Sequence, residues 1–118
     1  MQRVTVRNLT RSTVVAGDAE IAKTWWTRLR GLLGRSNLTA GAGLIILPCS
    51  SIHTFFMAFP IDVLFVSKEN RVLKASTAIG AWRIGPVVPQ ARYVIELPVG
   101  AIAASQTVSG DELDWSSG

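Results

Sequence analysis

Short stretches of alternating apolar and polar residues, separated by turns and prolines, run through most of the 118-residue chain. β-Branched residues on both sides of a polar turn predict a hairpin over residues 4–16. The clearest hairpin is predicted over residues 61–75, and residues 92–97 alternate strictly before Pro98. About six or more strands at this spacing are typical of a mainly β domain. We therefore expect one domain over residues 1–118, a β-barrel or sandwich, with α+β as the alternative.

Two segments are predicted to be helical. Over residues 19–33 apolar side chains recur every three or four positions, with Asp18 placed to cap the start and Gly34 to end the helix. Residues 99–105 are small and apolar, which favours a second, short helix. We expect these helices to cover an end of the barrel or sandwich.

The composition excludes several classes of protein. The chain is 48% hydrophobic and 17% charged, which argues against disorder. A single cysteine, Cys49, excludes an internal disulfide, and no apolar stretch is long enough to span a membrane. The first ten residues lack the pattern of a secretory signal. We therefore expect a bacterial cytoplasmic protein without a transmembrane segment.

The positive charge is concentrated in the first third of the chain. The net charge is +4 overall, and it is +5 over residues 1–35 and −1 over residues 36–118. One hypothesis is therefore a basic interaction protein that docks on nucleic acid or anionic membrane through residues 1–35. No nucleic-acid-binding motif accompanies this charge, so a solvated basic surface is the simpler interpretation.

The stretch from Cys49 to Phe65 holds the only cysteine, the only histidine and an aspartate within an apolar strand. Asp62 lies between Ile61 and Val63, and a buried carboxylate without partners is very costly. We expect His53 or Arg92 to be its partner. The alternative is that Asp62 caps the corner at Pro60 through backbone N–H groups.

Polar groups within this apolar region predict a binding module as the first hypothesis. A cleft would hold a small anionic ligand or a segment of a partner protein, because arginines bind carboxylates and phosphates with two hydrogen bonds and a tryptophan supplies a stacking surface. The candidate ligand-binding residues are His53, Met57, Asp62, Trp82, Arg83 and Arg92.

The second hypothesis is a hydrolase-type enzyme that uses His53 and Asp62 as an acid–base pair. Ser50, Ser51 and Cys49 are near in sequence, but no nucleophile-elbow pattern is present. The sequence leaves open whether the protein is an enzyme. No metal or other cofactor is predicted, because zinc-ligand spacings are absent. Cys49, His53 and Met57 are four residues apart, and this spacing would align them on a helix but not on a strand.

Several groups of residues resemble the motifs of a known family of small bacterial and archaeal domains. They are Ser51–Met57 (SIHTFFM) with Phe59–Asp62 (FPID), Arg30–Arg35 (RGLLGR), Ala81–Arg83 (AWR), Ala91–Gly100 (ARYVIELPVG) and Ser109–Asp111 (SGD). On these motifs the chain is similar to family 192 of the domains of unknown function. Ala58 departs from the pattern, since relatives often have a basic or polar residue there. The resemblance implies a compact, mainly β fold and carries no established activity, substrate or cofactor.

Overall fold

The structure is a computed structural model of the chain and describes residues 2–22, 39–47, 51–53, 59–80 and 84–117. Within this part the chain forms nine strands and one short helix, α1 (Ala101–Ser105). The strands are β1 (Gln2–Asn8), β2 (Thr13–Ala22), β3 (Ala42–Ile46), β4 (Ser51–His53), β5 (Ile61–Val66), β6 (Val72–Ile79), β7 (Ile84–Val87), β8 (Tyr93–Pro98) and β9 (Leu113–Ser117).

Seven of the described strands form one sheet in the order β6-β5-β8-β3-β2-β1-β9. Neighbouring strands pair antiparallel except β2 and β3, which are parallel. β4 and β7 form a separate antiparallel pair. This arrangement places β5 and β8 next to each other near the middle of the large sheet.

The large sheet curls until its two edge strands meet at one end. Arg71, just before β6, forms a bridge with Glu112, just before β9. The backbone N–H of Val72 donates to the carbonyl of Asp111 at 2.8 Å, and that of Leu113 donates to the carbonyl of Asn70 at 2.7 Å. The sheet is therefore a half-barrel, and the prediction of a mainly β barrel-like domain is confirmed.

The curl divides the buried side chains into two clusters. The inner cluster draws on β1, β2, β3, β5, β6, β8, β9 and α1, so its members meet inside the curl. The outer cluster draws on the other face of the central strands, and its buried members are Ala22, Leu44, Ile46, Phe59, Ile61, Val63, Phe65 and Val94. β5 is consequently buried at every position, since one face belongs to each cluster.

The structure describes the short predicted helix in full and only the first residues of the main predicted helix. The short helix expected at residues 99–105 is confirmed as α1, whose Ile102 packs in the inner cluster. The main helix was expected to begin at residue 19, and this start is wrong because residues 19–22 are the end of β2. Ala19 pairs with Val4 on one side and Gly43 on the other, so two strand partners override the local helical pattern. Residues 23–33 lie outside the described residues.

Buried polar side chains hold the closed end of the half-barrel together. The side-chain amide of Asn8 donates to Thr107 Oγ1 and to Asp111 Oδ2, both at 3.0 Å. Arg11 Nε also donates to Asp111 Oδ2, at 3.2 Å, and so does the backbone N–H of Val108, at 3.0 Å. Burial alone would raise the pKa of Asp111, but these hydrogen bonds outweigh it and hold the pKa below its usual range.

Gly43 of β3 lies at a crowded position in the sheet. A Cβ at this position would lie 3.1 Å from the Cβ of Ala16 and 3.2 Å from Cδ2 of Leu97. We predict that Gly43→Ala lowers the free energy of unfolding by about 1–3 kcal/mol, because overpacked sites in a rigid core force their neighbours to move. Urea unfolding measures this change.

Gly17→Ala is the matched control for this prediction. A Cβ at Gly17 meets nothing within 4 Å. We expect the free energy of unfolding of this variant to stay within about 0.5 kcal/mol of the wild type. Equal destabilisation by the two substitutions would contradict the packing interpretation.

Candidate functional site

The structure describes two of the six predicted ligand-binding residues with their side chains. Asp62 is buried in β5 and Arg92 is exposed immediately before β8. The backbone of His53 ends β4 and pairs with Ile84 of β7, while its side chain lies outside the described part. Met57, Trp82 and Arg83 also lie outside the described residues.

Asp62 is 1% exposed, and its carboxylate accepts three hydrogen bonds from backbone N–H groups. Oδ1 accepts from Ala78 at 2.8 Å, and Oδ2 accepts from Gly100 and from Ile102, both at 3.1 Å. These donors satisfy the buried charge without a basic side chain. Asp62 therefore does cap backbone N–H groups, although they belong to β6 and α1 and not to the corner at Pro60.

The donor on β6 is available because the strand contains an irregularity opposite Asp62. Ile61 pairs with Ile79 and Val63 with Ser76, so β6 has one residue more than β5 over this stretch. Ala78 has a φ of 51°, in the left-handed region that residues with a Cβ rarely adopt. The extra residue turns the N–H of Ala78 out of the strand ladder and onto Asp62.

The other two donors lie at the start of α1. Gly100 is the N-cap residue of this helix, with a φ of 100°, and it has no side chain to cap the helix. The carboxylate of Asp62 takes the capping role from a neighbouring strand. The side chain thereby ties β5 to β6 and to the turn between β8 and α1.

Arg92 is not the partner of Asp62. Asp62 pairs with Leu97 on β8, and Arg92 lies five residues before Leu97, which is ~16 Å along an extended strand. Arg92 is exposed, and no ion pair to it is found within the described part of the chain.

We predict that Asp62→Asn lowers the free energy of unfolding by about 2–3 kcal/mol, because an amide offers one acceptor oxygen to three buried N–H donors. Chemical unfolding at pH 7 measures the change. Asp114→Asn, at an exposed position of β9, removes a carboxylate with little expected effect. A loss below about 0.5 kcal/mol for Asp62→Asn would show that the three hydrogen bonds do not anchor the fold.

A second carboxylate, which the sequence analysis did not select, lies on the other face of the sheet. Glu96 of β8 is 3% exposed and stands between Leu44 of β3 and Val63 of β5. No hydrogen bond or ion pair reaches its carboxylate from the residues that the structure describes. Burial raises the pKa of Glu96 to about 8, so the carboxyl group is mostly protonated and neutral at pH 7.

The sequence contained a signal for Glu96. It lies between Ile95 and Leu97, just as Asp62 lies between Ile61 and Val63. The alternation along residues 92–97 puts Glu96 on one face of the strand with Arg92 and Val94. The structure shows that this face is buried in the outer cluster, where Val94 packs two positions away.

A further carboxylate, that of Glu20, lies in the same row of paired residues across the sheet and is in an ion pair. Glu20 lies across Leu44 from Glu96, and its carboxylate receives Arg3 Nη2 at 3.0 Å. Arg3 also contacts Asp18 at 2.7 Å. Glu96 therefore differs from Glu20, since its environment in the described part is apolar.

The hypothesis of a basic interaction protein loses support in the described part of residues 1–35. Of the three arginines over residues 2–22, Arg3 and Arg11 are in ion pairs with carboxylates. Arg7 is exposed, and no ion pair to it is found within the described part of the chain. Two of these three arginines are therefore neutralised by carboxylates, and the other four basic residues of this stretch lie outside the described residues.

An open groove lies beside α1, away from Glu96 and Arg92. Its volume is about 490 Å³. It is lined by Val14, Val15, Gly17, Ala40, Gly41, Pro98, Val99, Gly100, Ala101 and Ala104. None of these residues carries a charge, so the groove offers no complementary group to an anionic ligand.

Within the described ranges, no three His, Cys, Asp or Glu residues come together in a way that could hold a metal ion. None of the described helical segments is both long and apolar enough to cross a membrane.

The fold defines a small, mainly β half-barrel domain, and comparison with known proteins identifies its family. The model of the family DUF192, described as "Uncharacterized ACR", matches residues 6–115. The chain therefore belongs to this family, which confirms the resemblance of the motifs.

Curated relatives and solved structures agree with this assignment. A UPF0127 protein of Thermococcus gammatolerans is 40% identical, over 92% of this chain and 72% of the relative. A UPF0127 protein of Pyrococcus abyssi is 34% identical, over 92% of this chain and 94% of the relative.

Two solved structures share the fold. A protein of unknown function from Novosphingobium aromaticivorans has a TM-score of 0.75 at 24% identity, covering 96% of this chain and 84% of that one. A crystal structure titled as a putative transcription regulator, from Sinorhizobium meliloti, has a TM-score of 0.74 at 18% identity, covering 97% and 92%. At these identities the likeness concerns the fold alone.

Proposed function

We propose that this protein is a binding domain for a small anionic ligand and that the ligand lies at the edge of the outer cluster beside Arg92. The observation that carries the proposal is an exposed arginine, without an ion pair in the described part of the chain, next to apolar side chains of the outer cluster that are only partly buried. An acidic segment of a partner protein would use the same contacts.

Arg92 supplies the positive charge in this proposal. Arg92 lies in a bend directly before β8, four residues before Glu96, so at most ~13 Å of extended chain separates the two residues. Ala91, next to Arg92, is only partly buried where it packs against the outer cluster. The edge of the cluster is thus accessible beside the arginine, and a guanidinium binds carboxylates and phosphates with two hydrogen bonds.

Glu96 does not oppose the binding of an anion at neutral pH. Because burial raises its pKa to about 8, the side chain is mostly an uncharged hydrogen-bond donor at pH 7. Ile79, Val88 and Ala91, which are only partly buried at the edge of the outer cluster, suit the apolar part of a ligand. The favoured ligand therefore has one anionic group and an apolar body.

Apart from Arg92, Asp62 is the one predicted ligand-binding residue that is described with its side chain. Asp62 faces the inner cluster and acts in this proposal as a positioning residue.

The test uses 8-anilinonaphthalene-1-sulfonate, an amphipathic anion whose fluorescence rises in apolar surroundings. We predict saturable binding of one molecule per chain to the native protein at pH 7. Arg92→Gln should weaken the affinity about five- to tenfold, because it removes one charge-assisted contact while leaving an exposed site.

Arg7→Gln provides the matched control. It removes the same charge from an exposed position on β1, three strands away from β8 in the sheet. Its affinity should equal that of the wild type. Equal losses in both variants, or no saturable binding while near-UV circular dichroism shows native packing, would overturn the proposed function.

A further inference from the structure

We propose that the open groove beside α1 binds an extended, uncharged segment of a partner protein, which pairs as an added strand with the first half of β2. This inference concerns a different part of the surface from the proposed anionic site. It depends on the pairing of β2, on the glycines that line the groove and on the absence of charge from the lining residues.

One wall of the groove is a strand edge. β2 spans Thr13–Ala22, but its pairing with β3 begins only at Asp18, opposite Ala42. Within the described part of the chain, residues 13–17 therefore have no strand partner on the side of β3. The groove lies between this part of β2, the turn before β3 and the segment that follows β8. An extended peptide can bind such an edge through main-chain hydrogen bonds.

The backbone is open to the groove at three glycines. They are Gly17 of β2, Gly41 before β3 and Gly100 before α1, and all three are exposed. A Cβ at any of these positions would meet nothing within 4 Å. A second main chain can approach closely at such positions, because no side chain stands in its way.

The lining residues also define the chemistry of the occupant. None of the ten is charged, and the exposed fractions of Val14 and Val99 are 49% and 52%. A charged side chain placed here would lose water without gaining a partner, whereas apolar side chains would cover the two valines. The occupant is therefore an uncharged segment, and β-branched residues suit it best because they favour strands.

Hydrogen bonds within the protein hold the walls of the groove in place. The backbone N–H of Asp18 donates to the carbonyl of Gly41 at 2.9 Å, and Thr13 Oγ1 donates to the carbonyl of Ser105 at 2.8 Å. The carboxylate of Asp62 fixes the start of α1. The groove is thus formed before a peptide arrives, which lowers the entropic cost of binding.

The experiment selects peptides that bind the wild-type protein from a displayed library of random heptapeptides. We expect uncharged sequences to be enriched, and an enriched peptide, made synthetically, to shift the amide NMR resonances of the lining residues. N-methylation of one alternate set of its backbone amides should weaken binding about tenfold, because these amides donate to β2. N-methylation of the other set, which faces away from β2, should have a much smaller effect.

Variants of the protein test the location of the peptide. Gly17→Val fills the groove and keeps the fold, because the new side chain has open space and valine suits a strand. We expect the affinity for the enriched peptide to fall about tenfold. Val14→Asn should weaken binding as well. Leu9→Asn is its matched control, since Leu9 is 51% exposed and does not line the groove. Urea unfolding confirms that each variant is folded.

Several results would overturn the inference. They are the absence of any enriched peptide, equal affinity of wild type and Gly17→Val, and equal effects of the two N-methylated sets, which would indicate that the groove binds apolar side chains and not a strand. A wild-type dimer that dissociates in Gly17→Val would identify a second copy of the chain as the occupant. Acidic peptides that lose affinity in Arg92→Gln but not in Gly17→Val would support the proposed function and overturn this inference.

Discussion

The carboxylate of Asp62 is the interaction on which the arrangement of this domain depends. It binds three N–H groups that no strand ladder can satisfy, one from the irregular part of β6 and two from the start of α1. The side chain of Asp62 thus binds both Ala78, which has a left-handed backbone conformation, and Gly100, the N-cap residue of α1. Because these contacts use both carboxylate oxygens, Asp62 has the character of a structural anchor.

Both faces of β5 and of β8 are buried. This burial explains why Asp62 and Glu96, which lie on these two adjacent strands, are stabilised in different ways. Asp62 faces the inner cluster, where backbone donors are available, and Glu96 of the adjacent pair faces the outer cluster, where the described neighbours are apolar. A buried carboxyl group must be hydrogen-bonded as an anion or become neutral. Asp62 follows the first solution and stabilises the fold, whereas Glu96 follows the second and is mostly neutral at pH 7.

The raised pKa of Glu96 also links the stability of the fold to pH. A glutamate in an unfolded chain ionises near pH 4.5, whereas Glu96 in the folded protein keeps its proton to about pH 8. Between these values the folded state binds more protons, so stability falls as the pH rises from about 4.5 to about 8. Glu96 therefore contributes least to stability at the pH values where it is ionised. Groups with strongly shifted pKa values are often found at functional sites.

Local patterns in the sequence predicted the parts of the fold that depend on local physics. Alternation and turn residues predicted the hairpins, and the small apolar run at residues 99–105 predicted α1. The hydrophobic setting of Asp62 predicted its burial and, as one alternative, its binding to backbone N–H groups.

Other features depend on contacts between distant segments and were not predicted. The helical pattern that begins at Ala19 is overridden because β1 and β3 flank that part of β2. The partners of Asp62 lie 16 to 40 residues away in sequence. Glu96 was not selected as a site residue, because alternation does not reveal that both faces of β8 are buried.

The most direct test of this account is the titration of the Glu96 carboxyl carbon by ¹³C NMR, with the resonance assigned from its absence in Glu96→Gln. The account predicts an apparent pKa of about 8 in the folded protein. A value near 4.5, as for an exposed glutamate, would show that Glu96 is solvated or paired with a positive charge, and would contradict its burial in an apolar environment.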